Sequence, residues 1–149
     1  MTPDPVSVDE VCRYLESYAP ARLAEDWDNT GLLIGNMQRV VQQVMTCLTV
    51  TPETVKEAID RQVQLIVTHH PLPFRPLKTI TRSTIAGGMV LDLIEAGIAV
   101  YSPHTSFDSA AEGINQQLAE KLGLSKIVPL RPFDNDPDHL GAGRWGHLC

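Results

Sequence analysis

Val63-Gln-Leu-Ile-Val-Thr-His-His-Pro-Leu72 decides the reading of this chain. The run from Val63 to Thr68, rich in branched apolar side chains, predicts a buried strand. Where it runs out, His69 and His70 follow in succession, and imidazole is the commonest protein metal ligand. The pattern recurs downstream, where the apolar run Ile98-Ala-Val-Tyr101 leads into Ser102-Pro-His-Thr-Ser-Phe-Asp108. In an open parallel sheet, ligands bind beyond the carboxyl ends of the strands, so His69, His70, His104 and Asp108 are expected at one edge. Neighbouring side chains at a strand end point to opposite sides. Unless the loop bends, His69 and His70 therefore serve two different ions. Metal pairs about 3.5–4 Å apart, sharing a carboxylate, recur in hydrolytic sites, and Asp108 is the carboxylate of these two clusters that can bridge.

The flanking sequence supplies an alternating series of elements. Ser7 to Tyr18 carries a capping box, Ser7 with Glu10, and apolar Val8, Val11, Cys12, Leu15 and Tyr18 on one helical face. Gly31 to Ile34 and Val44 to Val50 read as buried strands. Thr51 as N-cap with Pro52 behind it starts a helix reaching about Arg61. Pro71-Leu-Pro-Phe-Arg-Pro76 is a stiff loop that can wall the site. A helix over Ser83 to Ala96 closes on Gly97, and Ser109-Ala-Ala-Glu112 reads as a second capping box, which puts Asp108 at the start of a helix ending at Gly123. The order of strands and helices predicts an α/β fold, a mostly parallel sheet flanked by helices.

Composition sets the bounds. The chain has 149 residues, 43% apolar and 20% charged, enough for one core. Eighteen acidic against twelve basic residues give a net charge of −6, which argues against a basic nucleic-acid-binding face. Cys12, Cys47 and Cys149 are widely spaced and suggest neither a disulfide framework nor a zinc ribbon; a reducing cytoplasm is expected. The opening Met1-Thr-Pro-Asp-Pro5 is no signal peptide, and no apolar run approaches the ~20 residues of a membrane span. Residues 1–128 are read as one α/β metal-binding domain. Residues 129–149, rich in proline, acid and glycine, are read as a connector whose end, His147-Leu-Cys149, carries no strand or helix of its own, as in a chain that should continue.

Each candidate also has a purely structural reading. Adjacent histidines can simply begin a polar loop, and Asp108 can be a helix N-cap in competition with Ser109. Glu25, Asp26 and Asp28 around Trp27 read as a solvated loop. Gly31 and Gly35 read as turn glycines, because no lysine follows to make a P-loop, and Cys47 reads as a core residue.

Three motifs in order, Glu25-Asp-Trp-Asp-Asn-Thr-Gly-Leu-Leu-Ile-Gly35, Thr68-His-His-Pro-Leu-Pro-Phe74 and His104-Thr-Ser-Phe-Asp108, followed by Glu112-Gly-Ile-Asn115 and Leu122-Gly-Leu124, resemble the NIF-three-like family, also labelled GTP cyclohydrolase I type 2 homologues. The resemblance runs from about Ser7 to Trp145. It implies a dinuclear-metal protein of α/β fold, of which this chain matches the N-terminal part. It also implies a homohexameric ring with the metal sites facing an internal cavity.

By this resemblance His69, His70 and Asp108 match metal ligands, the two histidines on different ions. His104 matches a histidine of the same site whose role stays open between ligand and proton donor. Two departures follow. Family members carry a histidine and a bridging glutamate one helical turn apart near their C-terminus, and this chain stops before such a pair; His139 and His147 are not assigned as ligands. Thr49 stands where the family usually has an aspartate, which weakens the expected support of the site. Two divalent ions per complete site are implied, and the donor types suit zinc, iron, manganese or nickel alike. The implied reaction is hydrolysis of a nucleotide, with attack on the imidazole carbon of the guanine ring and His104 moving a proton. The alternative is a non-catalytic metal-binding or regulatory oligomeric module.

Overall fold

The computed structural model describes residues 5–134 and 136–148; Met1 to Asp4 of the acidic opening and Cys149 lie outside that description. Helix α1 (Val8–Tyr18) begins at Ser7, whose hydroxyl accepts from Glu10 N–H while the Glu10 carboxylate accepts from Ser7 N–H, the reciprocal box expected from sequence. Strand β1 (Gly31–Ile34) follows, then β2 (Val44–Cys47), α2 (Pro52–Asp60), β3 (Leu65–Thr68), α3 (Ile85–Ala96) and β4 (Ala99–Ser102). Thr51 and Thr84 cap α2 and α3 through their hydroxyls, and Gly97 ends α3 at φ 67°, a left-handed conformation that costs glycine least.

These strands form one sheet in the order β1-β4-β3-β2. The two β-α-β units make β2, β3 and β4 parallel, while β1 runs antiparallel to β4. The sheet is thus mainly parallel, with an antiparallel edge. Its register sets the position of the site: Cys47 pairs with Thr68, and Gly31 with Ser102. The carboxyl ends of β2, β3 and β4 therefore finish level with the amino end of β1.

Both faces of the sheet are covered. Ile66 and Val100 pack with Val55, Ala58, Val90 and Leu93 of α2 and α3. The alternate positions Leu65, Ala99 and Tyr101 pack with Val8 and Cys12 of α1, as the two-residue period of a strand requires. At the edge, β2 is less buried than its composition predicts, with Val44 47% exposed, because among the described residues no strand covers its outer side. Gly35 is more than a turn residue. A Cβ there would sit 2.6 Å from that of Ala99, and its φ of 118° is disfavoured for other residues.

Two local expectations fail beyond β4. A short helix, α4 (His104–Ser109), precedes the expected one, and Ser109 ends it instead of capping the next. Helix α5 (Ile114–Lys121) starts at Gly113 with no side-chain cap. Ser109 is buried, and the carbonyls of Ser109 and Ala110 accept hydrogen bonds from Arg144, which also binds the carbonyls of Gly141 and Gly143. Ser109 cannot serve as an N-cap because it is the last residue of α4, and Arg144 holds that end by satisfying several carbonyls at once. The tail is also more structured than read. Strand β5 (Leu124–Val128) pairs antiparallel with β8 (Trp145–Leu148), and β6 (Arg131–Pro132) with β7 (Gly141–Ala142). His147 and Leu148, expected to lack a strand, pair with Ser125 and Leu124.

Candidate metal centre

The end of β3 is held by hydrogen bonds that run past its last strand residue. His69 and His70 donate their N–H groups to the carbonyls of Cys47 and Leu48, and Ser102 donates its hydroxyl to the His69 carbonyl at 2.7 Å. The Thr68 hydroxyl reaches the carbonyls of Leu48 and His70. The chain bends at His69–His70, so the two rings do not diverge as neighbours on a straight strand would. Their centroids lie 5.1 Å apart.

The third histidine comes from α4. His104 begins that helix at φ 31°, an unusual backbone conformation for a non-glycine residue; strain of this kind costs about 1–3 kcal/mol and is concentrated at functional sites. Its ring lies 5.3 Å from that of His69 and 5.9 Å from that of His70. One ligand atom from each of His69, His70 and His104 falls within 4.8 Å of the others, a spacing that can hold a metal ion. Asp108 stands one helical turn after His104, with its Oδ1 3.5 Å from His69 Nε2. It lies in the last turn of α4 and is no N-cap, which corrects the expectation that it starts a helix.

Each outer histidine is braced from behind. His70 Nδ1 lies 2.7 Å from the Thr49 hydroxyl, and His104 Nδ1 lies 2.8 Å from Asp28 Oδ1. Metal-bound histidines usually have their second ring nitrogen tied in this way, which leaves the other lone pair for the ion. Thr49, which by resemblance stood for a missing support, thus supplies one.

Asp28 was not legible as a site residue. Its fully buried carboxylate accepts from His104, from the Thr105 hydroxyl and N–H, and from Asn29 N–H. Burial acts to raise its pKa, but the hydrogen bonds from Thr105, His104 and Asn29 outweigh it and hold the carboxyl below its ordinary range. Asp28 reaches the site because β1 is antiparallel, so the residues before Gly31 arrive at the same edge as the ends of β3 and β4. Glu25 instead pairs with Arg131, and only its N–H touches the site region, through Thr105 Oγ1 at 3.0 Å.

His69 is the central ring, 5.1 Å from His70 and 5.3 Å from His104. Burial lowers its pKa; the charge of Asp108 opposes this, and neighbouring His104 and His70 reinforce it, with a net downward shift. The neutral imidazole that a metal needs is therefore favoured. Its Nδ1 is buried without a hydrogen-bond partner among the described residues, and a buried polar atom of this kind calls for one. Three imidazoles, one of them with an unsatisfied nitrogen, and a nearby carboxylate fit a divalent transition metal. His139 and His147 are outside the cluster.

Sequence and fold both match known proteins. Residues 6–149 match the family model described as Duf34/NIF3 (NGG1p interacting factor 3). The chain belongs to the DUF34/NIF3 family. It is 36% identical over 139 residues to a GTP cyclohydrolase 1 type 2 homolog of Clostridium acetobutylicum, covering 93% of this chain and 52% of that protein. It is likewise 36% identical to NIF3-like protein 1 of Drosophila melanogaster, covering 91% of this chain and 47% of the relative. The chain thus spans about half the length of these DUF34/NIF3 relatives. Among solved structures, a Bacillus cereus protein related to NIF3 superposes with a TM-score of 0.82 at 38% identity, over 88% of this chain and 36% of that one. Reduced HcgD from Methanocaldococcus jannaschii superposes with a TM-score of 0.79 at 31% identity, over 85% of this chain and 50% of its own.

Proposed function

We propose that His69, His70, His104 and Asp108 belong to a divalent metal centre that serves hydrolysis of a nucleotide or a related small molecule. The observation that carries this reading is the convergence of three imidazole ligand atoms within 4.8 Å, with His70 and His104 braced from behind. The hydrolytic part draws on relatives named GTP cyclohydrolase 1 type 2 homolog, of which this chain covers about half. A bound divalent ion supplies Lewis acidity and lowers the pKa of water towards ~7.

The chain's own residues set the rest. His69 and His70, brought together by the bend, would be the primary donors, Asp108 would add a carboxylate beside His69, and a second ion rests on the family resemblance alone. Asp28 holds the Nδ1 proton of His104, so the Nε2 lone pair faces the cluster, where it can take a proton or bind an ion. One observation favours the second reading, a non-catalytic metal module. The ligand atoms of all three imidazoles fall within 4.8 Å of one another, and with His104 spent as a third ligand no imidazole of the cluster is left to carry a proton. A homo-oligomer, a hexamer by family resemblance, completes the proposal, in a reducing compartment consistent with free Cys12 and Cys47.

His104→Gln separates these roles. In the metal-loaded chain, assayed with GTP and a panel of phosphorylated nucleosides, the catalytic reading expects this variant to keep its metal and lose at least about a hundredfold of turnover. Wild-type protein that holds metal but turns over none of the panel, together with metal loss in His104→Gln, establishes the non-catalytic reading instead.

A further inference from the structure

The arginines of this chain are nearly all occupied. Arg13, Arg22, Arg61, Arg82 and Arg131 each meet a carboxylate, and Arg144 is spent on backbone carbonyls. Among the described residues, only the guanidinium groups of Arg39 and Arg75 meet neither. In a chain with net charge −6, a free guanidinium beside a site is a candidate anion receptor. Arg75 is beside the site. It lines a cavity of about 400 Å³ that also holds His70 and Phe74, with Val50, Leu72 and Leu77 among its apolar walls.

Phe74 of the same loop and Trp27, from the segment before β1, together present an aromatic surface. Phe74 is 48% exposed and Trp27 63% exposed. Their rings meet edge-on at 6.2 Å, and each reaches the His104 ring, at 6.1 Å from Phe74 and 6.3 Å from Trp27. Exposed aromatic area forgoes the free energy of burial, and two such rings beside a cluster of polar groups mark a binding surface. The loop that carries Phe74 and Arg75 is held in place: it contains Pro71, Pro73 and Pro76, and Asn29 Nδ2 donates to the Pro73 carbonyl at 2.6 Å. Asn29 directly follows Asp28. One short segment thus braces both His104 and the aromatic wall, and a wall set before the ligand arrives loses little entropy on binding.

We propose that this cavity is the recognition half of the histidine site and selects a flat aromatic ring carrying an anionic group. The ring packs on Phe74, backed by Trp27, and the anion, phosphate or carboxylate, pairs with Arg75. This rests on the metal reading only in setting the ligand beside His70. The cavity wall is mostly apolar, so a bare anion gains no packing there, and an uncharged ring leaves Arg75 unpaired.

Calorimetric titration of the full chain, metal-loaded and metal-stripped, tests the proposal with four probes. Phenyl phosphate and benzoate carry ring and charge, inorganic phosphate carries charge alone, and benzyl alcohol carries the ring alone. Each aromatic anion is expected to bind at least about fivefold more tightly than either partial probe. Arg75→Gln and Phe74→Leu are each expected to remove at least about fivefold of that affinity while leaving metal content unchanged. Benzoate and phenyl phosphate share the ring and differ in the type, charge and reach of the anion, so their ranking shows which anionic group the site prefers. Affinity changed by less than that in Arg75→Gln, or phenyl phosphate no tighter than inorganic phosphate, overturns the proposal. The metal reading fails separately: a chain that binds no metal yet keeps Arg75-dependent binding of phenyl phosphate refutes that reading alone.

Discussion

His104 and His70 stand on opposite sides of one site and are supported in opposite ways. Behind His104 lies a fully buried carboxylate, Asp28, that ties together the ring, the Thr105 hydroxyl and two backbone N–H groups. Behind His70 lies a single neutral hydroxyl, Thr49, at an exposed position. The Asp28 side joins the turn before β1 to the start of α4 and belongs to the structure of the fold. The Thr49 side only orients a ring. The difference teaches that one centre can draw rigidity from a hydrogen-bonded buried charge on one flank and leave the other flank adjustable.

Breaking the stronger flank has the largest expected effect. Asp28→Ala leaves the Thr105 N–H and hydroxyl and the His104 ring without their acceptor, and buried groups stripped of partners cost roughly 1–3 kcal/mol each. A total loss of about 3–4 kcal/mol in urea unfolding is expected, together with loss of metal. A destabilisation under about 1 kcal/mol would show that Asp28 is dispensable.

Acid should expose the same asymmetry. The folded-state pKa of Asp28 is lowered, so its stabilisation is complete above the unfolded value of about 3.8 and is lost as pH falls through the folded value. Asp28→Asn should flatten the stability profile in that acid range. His69 acts at higher pH. Its pKa is lowered from 6.5, so the unfolded chain binds more protons, and metal-free stability should fall as pH drops below about 6.5 until the folded value is passed. His69→Gln removes that slope, and an unchanged slope in the variant would assign the protons elsewhere.

The weaker flank should give the smallest effects. Thr49→Val should change stability by less than about 1 kcal/mol while weakening metal binding about tenfold, read by competition with a chelator. Thr49→Asp would place a carboxylate on both flanks and should tighten metal binding. If it weakens binding instead, the hydroxyl is the better partner for His70 in this chain.

What the sequence made legible follows from the range of the interactions involved. The capping box of Ser7 and Glu10, the Thr51-Pro52 helix start and the Gly97 stop are decided within a few residues, and all form. His69 and His70 stood out because an apolar run ends there, and His104 and Asp108 because the same pattern recurs after Ile98–Tyr101. Asp28 was illegible because its role depends on the direction of β1, which is fixed only by pairing with β4 far along the chain. The Ser109-Ala-Ala-Glu112 box failed for a similar reason. Ser109 is drawn into the short α4, whose end Arg144, distant in sequence, holds through the carbonyls of Ser109 and Ala110, and no local pattern announces that contact. The bend at His69–His70 was left open by strand geometry alone, and it brings the two rings together.

The most direct test of the metal centre is elemental analysis of the purified, extensively dialysed full chain beside its His70→Ala and Asp28→Ala variants. The account predicts between about one and two equivalents of a transition metal in the wild-type chain, sharply reduced in both variants. Less than about a tenth of an equivalent in wild-type protein, after loading with zinc, manganese, iron and nickel in turn, would contradict it.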